Sequence, residues 1–95
     1  MFARVSTYKT GPDTIPTISD DVVKRVREVP GCLGIYYLIA KETDKALSIT
    51  LWDTEEAMTA SQETANRIRS ETSKAQNTEI LEVEEFEVTT NSVKA

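Results

Sequence analysis

The residues best suited to hold a ligand surround the single tryptophan of the chain, Trp52, in the stretch LSITLWDTEEAM at positions 47–58. A strand here would place Thr50 and Ser48 on the face of Trp52 and three apolar residues on the opposite face, namely Leu47, Ile49 and Leu51. Small hydroxylated neighbours leave volume beside an indole, so the pattern favours a pocket of mixed polarity with one aromatic stacking surface. The alternative is that Trp52 packs where the strand meets the next helix. On the pocket hypothesis, Trp52→Ala is expected to keep most of the stability of the protein.

The other candidate ligand-binding groups are hydroxyls and one cation. Tyr8 and Arg4 lie in the first predicted strand, and Arg4 is either a paired structural cation or a group that holds an anion in the pocket. Tyr36 and Tyr37 are adjacent, so they point to opposite faces of a strand, and the sequence leaves open which one faces the helices. The helix after Trp52 adds a stripe of small residues too small to fill the layer between helix and sheet. The predicted pocket residues are therefore Trp52, Tyr36, Tyr8, Arg4, Thr50 and Ser61, with no catalytic residue identified.

Composition excludes several classes of site and partner. Histidine is absent and Cys32 is the single cysteine, so we expect no metal and no cofactor. Cys32 lies in an apolar run and is predicted to be buried and structural. Eleven basic residues against 16 acidic ones give a net charge of −5, which disfavours nucleic acid and anionic membranes. No stretch has the apolar length of a signal peptide or a membrane span, so a cytoplasmic location is expected.

The elements that would position these residues follow the order β-α-β-β-α-β. Residues 2–9, 32–40, 45–52 and 78–88 have the composition of strands. The first helix is predicted to start at a capping box formed by Thr17 and Asp20 and to stop at Pro30 and Gly31. The second is predicted to be capped by Asp53 and Glu56 and to end within 70–77.

This order predicts a ferredoxin-like α+β fold, with a four-stranded antiparallel sheet and two helices on one face. We expect one domain over 1–95, with 89–95 as a flexible tail. In the last strand, the apolar residues change from one face to the other near Glu84 and Glu85, which predicts a bulge or a move onto a different sheet.

The strand CLGIYYLIA at 32–40 is apolar on both faces, although two helices can cover only one. Alternation places Leu33, Ile35, Tyr37 and Ile39 on one side and the remaining apolar residues on the other, namely Cys32, Tyr36, Leu38 and Ala40. The second face therefore needs a cover. A second copy of the chain is the predicted one, which makes the protein a homodimer.

The segments PGCLGIYYL and LSITLWDTEEAM and the final acidic strand resemble the antibiotic biosynthesis monooxygenase (ABM-like) domains of the dimeric α/β-barrel superfamily. The resemblance implies that two sheets pack together into a barrel and that a small-molecule pocket lies between helices and sheet. It also implies a homodimer that binds a small aromatic ligand. Such a dimer is either a cofactor-independent monooxygenase, which acts on aromatic or polyketide-like substrates, or a non-catalytic dimer, which binds a metabolite or serves in assembly. The matching motif residues are Pro30, Gly31, Gly34, Trp52, Glu56 and Ala57.

Two related activities fit the residues poorly. Haem-degrading members are similar around Trp52, but they use a histidine on the second helix and an asparagine on the first strand, and this chain has neither. Ferredoxin-like RNA-binding modules interleave aromatic and basic residues on the central strands, whereas 32–40 contains no Lys or Arg. Haem degradation and RNA binding are therefore not expected.

Overall fold

The computed structural model describes residues 1–94. Four antiparallel strands form one sheet in the order β2-β3-β1-β4. The strands are β1 (Phe2–Lys9), β2 (Cys32–Ile39), β3 (Lys45–Trp52) and β4 (Glu79–Glu87). The helices are α1 (Asp20–Arg27), α2 (Glu55–Ala60) and α3 (Gln62–Gln76), so the predicted second helix is divided at Ser61. The ferredoxin-like α+β fold predicted from the element order is confirmed.

The two faces of the sheet differ in polarity. Strand pairing aligns Arg4 with Thr50 and Ser6 with Ser48, and the side chains of Arg4 and Ser6 bond to residues of the helices, which defines this side as the inner face. The outer face carries mostly apolar side chains from all four strands, namely Val5, Leu47, Ile49, Leu51, Tyr36, Leu38 and Phe86. The more polar face is therefore the one that the helices cover.

A bulge in β2 changes which of its residues face the helices. Cys32 pairs with Trp52 but Gly34 pairs with Leu51, so Leu33 is an extra residue and is 52% exposed. The predicted grouping of residues was therefore wrong at the start of the strand. Cys32 shares the inner face with two residues further along, Ile35 and Tyr37.

The helix caps also differ from the prediction by one or two residues. The Ser19 hydroxyl accepts a hydrogen bond from the Val22 amide at 3.3 Å, so the cap is Ser19, and Thr17 lies too far upstream to reach this amide. At α2 the Thr54 hydroxyl accepts from the Ala57 amide at 3.0 Å, in place of the predicted Asp53 cap. A cap side chain must directly precede the first helical residue, which these two hydroxyl residues do.

The end of α3 agrees with the prediction, whereas the irregularity in β4 lies at a different residue. The helix ends at Gln76, within the predicted range, and Asn77 closes it in the left-handed conformation with φ of 59°. In β4 the extra residue is Leu81, opposite the step from Thr7 to Tyr8. The slip predicted near Glu84 and Glu85 was therefore wrong in position, and β4 remains in the same sheet.

Residues 89–94 form neither helix nor strand and are exposed, while Ala95, the end of the predicted tail, lies outside the described residues. The flexibility of the tail stays a prediction. Within residues 1–94, no helix combines the length and the hydropathy required to traverse a bilayer.

The turn between α1 and β2 generates a stability prediction. Gly31 has φ of +82°, and a Cβ there would lie 2.4 Å from the Ala57 Cβ and 2.8 Å from an Asp53 oxygen. Gly31→Ala is expected to lower the free energy of unfolding by about 2 to 4 kcal/mol, because backbone strain and overpacking add. Gly11→Ala, where a Cβ meets nothing within 4 Å, is the control and should change little in the same denaturant titration. Equal stability of the two variants would contradict the close packing of this turn.

Candidate functional site

A cavity of about 60 Å³ lies between the inner face of the sheet and the helices. The segment 18–29 contributes apolar side chains, namely Ile18, Val22, Val26 and Val29. The sheet contributes Ile35 and most of the polar wall, namely Arg4, Ser6, Tyr8, Tyr37, Ser48, Thr50 and Trp52. The remaining wall is a stripe along α3, namely Ala65, Ile68, Arg69, Thr72 and Gln76. The lining, which combines apolar surface with a few convergent polar groups, is of the kind found in small-molecule sites, while the enclosed volume is smaller than the about 300 Å³ usual for them.

Trp52 is both a wall of the cavity and a packed residue. It is 1% exposed, and its indole N–H donates to the Thr50 hydroxyl at 3.0 Å. The Arg4 guanidinium carbon lies 5.5 Å from the centre of the Trp52 ring, which is cation–π distance. The packing and pocket interpretations left open by the sequence are therefore compatible with each other.

Arg4 connects three elements beneath the cavity. Its guanidinium binds one carboxylate oxygen of Glu85 on β4 through Nε and Nη2, at 3.2 and 2.8 Å. Nη1 donates to the Ser61 hydroxyl at 3.0 Å, and Nη2 donates to the Met58 carbonyl at 2.7 Å. Arg4 is thus a paired structural cation that also lines the cavity, while Ser61 supports it from behind and does not line the cavity.

The tyrosines divide between the two faces of the sheet. The Tyr8 hydroxyl shares a hydrogen bond of 2.9 Å with the Ser48 hydroxyl. The Tyr37 hydroxyl is buried and makes no hydrogen bond of standard geometry within residues 1–94. Burial raises its pKa, and the nearby Gln76 side chain lowers the pKa by less. The rings of Tyr8 and Tyr37 lie 6.3 Å apart. Tyr36 is on the outer face and 52% exposed, so it does not line this cavity, contrary to the prediction.

Arg69 is a cavity residue that the sequence analysis missed. Its Nε donates to the Ser6 hydroxyl at 2.9 Å and its Nη1 to the Asn66 side-chain oxygen at 2.6 Å. Burial lowers the pKa of this guanidinium, and the nearby Tyr8 raises it by less. The helical spacing of 65, 69, 72 and 76 was a usable signal, because it continues the stripe of small residues toward the C-terminus of α3.

The cavity therefore joins four of the six predicted residues, namely Arg4, Tyr8, Thr50 and Trp52. A wider groove of about 360 Å³ lies beside the α1–β2 turn and contains Ser61, but no aromatic or basic side chain lines it. Cys32 is half-buried, so the prediction that it is buried was wrong in degree. Its partial burial raises the pKa of the thiol, which favours the neutral, unreactive form. Residues 1–94 contain no cluster of three His, Cys, Asp or Glu side chains positioned for a metal ion.

Comparison with known proteins places the chain in a family. Residues 1–71 match the family model for antibiotic biosynthesis monooxygenases. The chain belongs to this family. The match covers β1 to β3, α1, α2 and the first part of α3, and so includes most of the cavity wall.

Relatives of this ABM-family member support the fold and leave the activity open. Two uncharacterized proteins of Mycobacterium tuberculosis, Rv2557 and Rv2558, are each 29% identical to it in an alignment of 73 residues, and the alignment covers 73% of this chain. The chain spans about a third of their length, 33% and 31% respectively. A candidate antibiotic biosynthesis monooxygenase from Deinococcus radiodurans superposes with a TM-score of 0.63 at 15% identity, covering 100% of this chain and 98% of that one. A similar candidate from Chloroflexus aurantiacus gives 0.53 at 16% identity, covering 98% of each chain.

The burial of Trp52 revises the stability expected for its variants. Trp52→Ala should lose about 3 to 5 kcal/mol of unfolding free energy, because it empties a buried ring-sized volume, contrary to the expectation from sequence. Trp52→Phe should lose less unfolding free energy than Trp52→Ala, because an aromatic ring still fills part of the volume. It should still be less stable than the wild type, because the hydrogen bond to Thr50 is removed. Denaturant titration of both variants against the wild type measures the difference. A loss below about 1 kcal/mol for Trp52→Ala would show that the indole contributes little to packing.

Proposed function

We propose that this ABM-family member is a homodimer whose inner cavity binds a small aromatic ligand and oxygenates it without a cofactor. The observation that carries the proposal is the mixed wall of the cavity, where the Trp52 indole faces a space lined by hydroxyl and guanidinium groups. An aromatic ring gains stacking from the indole, and oxygen substituents on it gain hydrogen bonds from the polar wall.

The dimer is supported by the outer face of the sheet. Its exposed apolar side chains include Tyr36, Leu38 and Phe86, at 52%, 44% and 46% exposure. A contiguous apolar sheet face of this kind is rare on a monomer and marks an interaction surface. The proposed cover is the same face of a second copy, which would bury both sheets between their helices.

The proposed oxygenation needs no bound metal or flavin, because the substrate supplies the electrons. A ring methylene beside a carbonyl loses a proton to give an electron-rich enolate, which transfers electrons to O₂. The CH₂ group becomes a carbonyl that retains one oxygen atom, and the other oxygen atom leaves as water. The chain would contribute exclusion of water and donors that stabilise the enolate oxygen.

A second candidate function is ligand binding without catalysis. One observation favours it: no Asp, Glu or His from residues 1–94 lines the cavity, so its wall offers no common general base. A non-catalytic dimer would use the same residues to recognise a metabolite. Oxygen consumption separates the two candidates.

The dimer predicts a mass in solution of about twice the 10.6 kDa of the chain. Light scattering coupled to gel filtration at micromolar concentration measures it. Ile49→Glu, at an outer-face position of the central strand β3, should give a monomer or prevent folding, because it places a charge in the proposed interface. Gln62→Glu on the exposed surface of α3 is the control and should leave the mass unchanged. A monodisperse wild-type monomer would overturn the dimer.

The oxygenase predicts O₂ uptake with anthrone in air, without added flavin and in the presence of a metal chelator. One molecule of O₂ should be consumed for each anthraquinone formed. Thr50→Val, which removes the acceptor of the Trp52 N–H, should lower the rate about tenfold by disturbing the ring that orients the substrate. Thr59→Val on exposed α2 is the matched control and should keep the wild-type rate. Uptake equal to the protein-free rate for anthrone and other acidic aromatics would favour the non-catalytic candidate.

A further inference from the structure

The cavity contains one arginine, Arg69, that forms no salt bridge with any acid in residues 1–94. Glu85 acts on the charge of Arg69 only from a distance, because one oxygen of its carboxylate accepts two hydrogen bonds from Arg4. The hydrogen bonds of Arg69 go to the neutral side chains of Ser6 and Asn66, and the Tyr8 hydroxyl lies nearby. A half-buried guanidinium of this kind is stabilised by any anion that enters the cavity.

A second unsatisfied group lies on the same cavity wall. The Tyr37 hydroxyl is fully buried and makes no hydrogen bond of standard geometry among the described residues, and the polar side chain that acts on it is that of Gln76. Leaving a buried donor unpaired costs free energy, which a hydrogen bond to a bound ligand would recover. Tyr8 connects the two groups, because its ring packs beside that of Tyr37 and its hydroxyl lies close enough to Arg69 to raise the pKa of the guanidinium.

Tyr37 also lies where a ligand ring would leave the cavity. An adjoining groove of about 250 Å³ shares Ile18, Ile35 and Tyr37 with the cavity. Ligand sites usually measure about 300 Å³ or more, so a ring system too large for the cavity alone has room to extend into this groove.

We infer that Arg69 and Tyr37 form an oxyanion-binding end of the cavity, and that the ligand is therefore an aromatic molecule with an ionised oxygen. The inference rests on the proposed function, in that it takes the cavity to be a small-molecule site. Arg69 supplies the charge, and the Tyr37 hydroxyl donates a hydrogen bond to the same group. The ionised oxygen belongs to a phenolate, an enolate or a carboxylate.

Matched ligand pairs test the inference by calorimetry under mildly alkaline conditions. Benzoate is compared with benzamide, and 4-nitrophenolate with 4-nitroanisole, so that each pair differs mainly in charge. The ionised member of at least one pair should bind at least about tenfold more tightly, as expected for a charge-assisted hydrogen bond. The pair with the larger preference distinguishes a carboxylate from a phenolate as the source of the oxyanion.

Three variants assign the preference to residues. Arg69→Gln should abolish it, while Arg67→Gln, on the exposed side of the same helix, should preserve it. Tyr37→Phe should weaken binding of the anion about tenfold yet leave the free protein as stable as the wild type or more so, because it removes an unpaired buried hydroxyl. If Tyr37 had a purely structural role, Tyr37→Phe would instead lower the free energy of unfolding.

The wild type and the Arg69→Gln variant can each overturn the inference. Equal affinity for the members of both pairs, no binding of either anion at millimolar concentration, or an anion preference that survives in Arg69→Gln would each do so. Binding of these anions, together with no O₂ uptake when anthrone is supplied, supports the inference and contradicts the oxygenase. Equal binding of charged and neutral rings contradicts the inference and leaves the small-molecule site intact.

Discussion

The alternation of side chains along β1 and β3 is the constraint on which the rest of the structure depends. Successive residues of a strand point to opposite faces of the sheet. In β1 and β3 this alternation places four polar side chains on the face beneath the helices, namely Arg4, Ser6, Ser48 and Thr50. Close apolar packing cannot fill a layer with this many polar groups, so a cavity remains. The same alternation places apolar residues on the opposite face, which none of the described helices covers. The alternation along β1 and β3 thus accounts for both the candidate site and the candidate interface.

The hydrogen bonds of Arg4 stabilise this polar layer. Its guanidinium uses four N–H bonds to join β1 to Glu85 on β4 and to Ser61 and the Met58 carbonyl near the α2–α3 junction. The Met58 carbonyl accepts from Arg4, from the Ser61 hydroxyl and from the Ser61 amide, and this crowded acceptor lies where α2 ends and α3 begins. α3 carries the stripe from Ala65 to Gln76 that lines the cavity. Arg4 therefore contacts both the floor of the cavity and the helix junction next to its wall.

The sequence was informative where a pattern has one physical cause. Period-two alternation around Trp52 predicted its neighbours correctly, and element order predicted the sheet topology. Prediction failed where one extra residue reverses the alternation of side chains: the bulge at Leu33 moved Cys32 to the inner face. Gly34, directly after Leu33, was a usable signal, because a glycine within a strand often marks a bulge. The partnering of Arg4 and the unpaired Arg69 depend on contacts between residues more than 50 positions apart, which spacing along one element cannot reveal.

On the proposed function, the charges of the cavity would link recognition of the ligand to its activation. The raised pKa of Tyr37 keeps its hydroxyl protonated near neutral pH, so it serves as a donor and not as a base. A cation within about 4 to 6 Å lowers the pKa of an acidic group by about 1 to 3 units, which would bring a phenol of ordinary pKa about 10 to between about 7 and 9. Burial opposes this shift by disfavouring the ionised form. A phenol that contacts Arg69 directly would lose its proton to solvent water more readily than it would in an uncharged cavity, so the cation that binds the ionised form would also favour its formation.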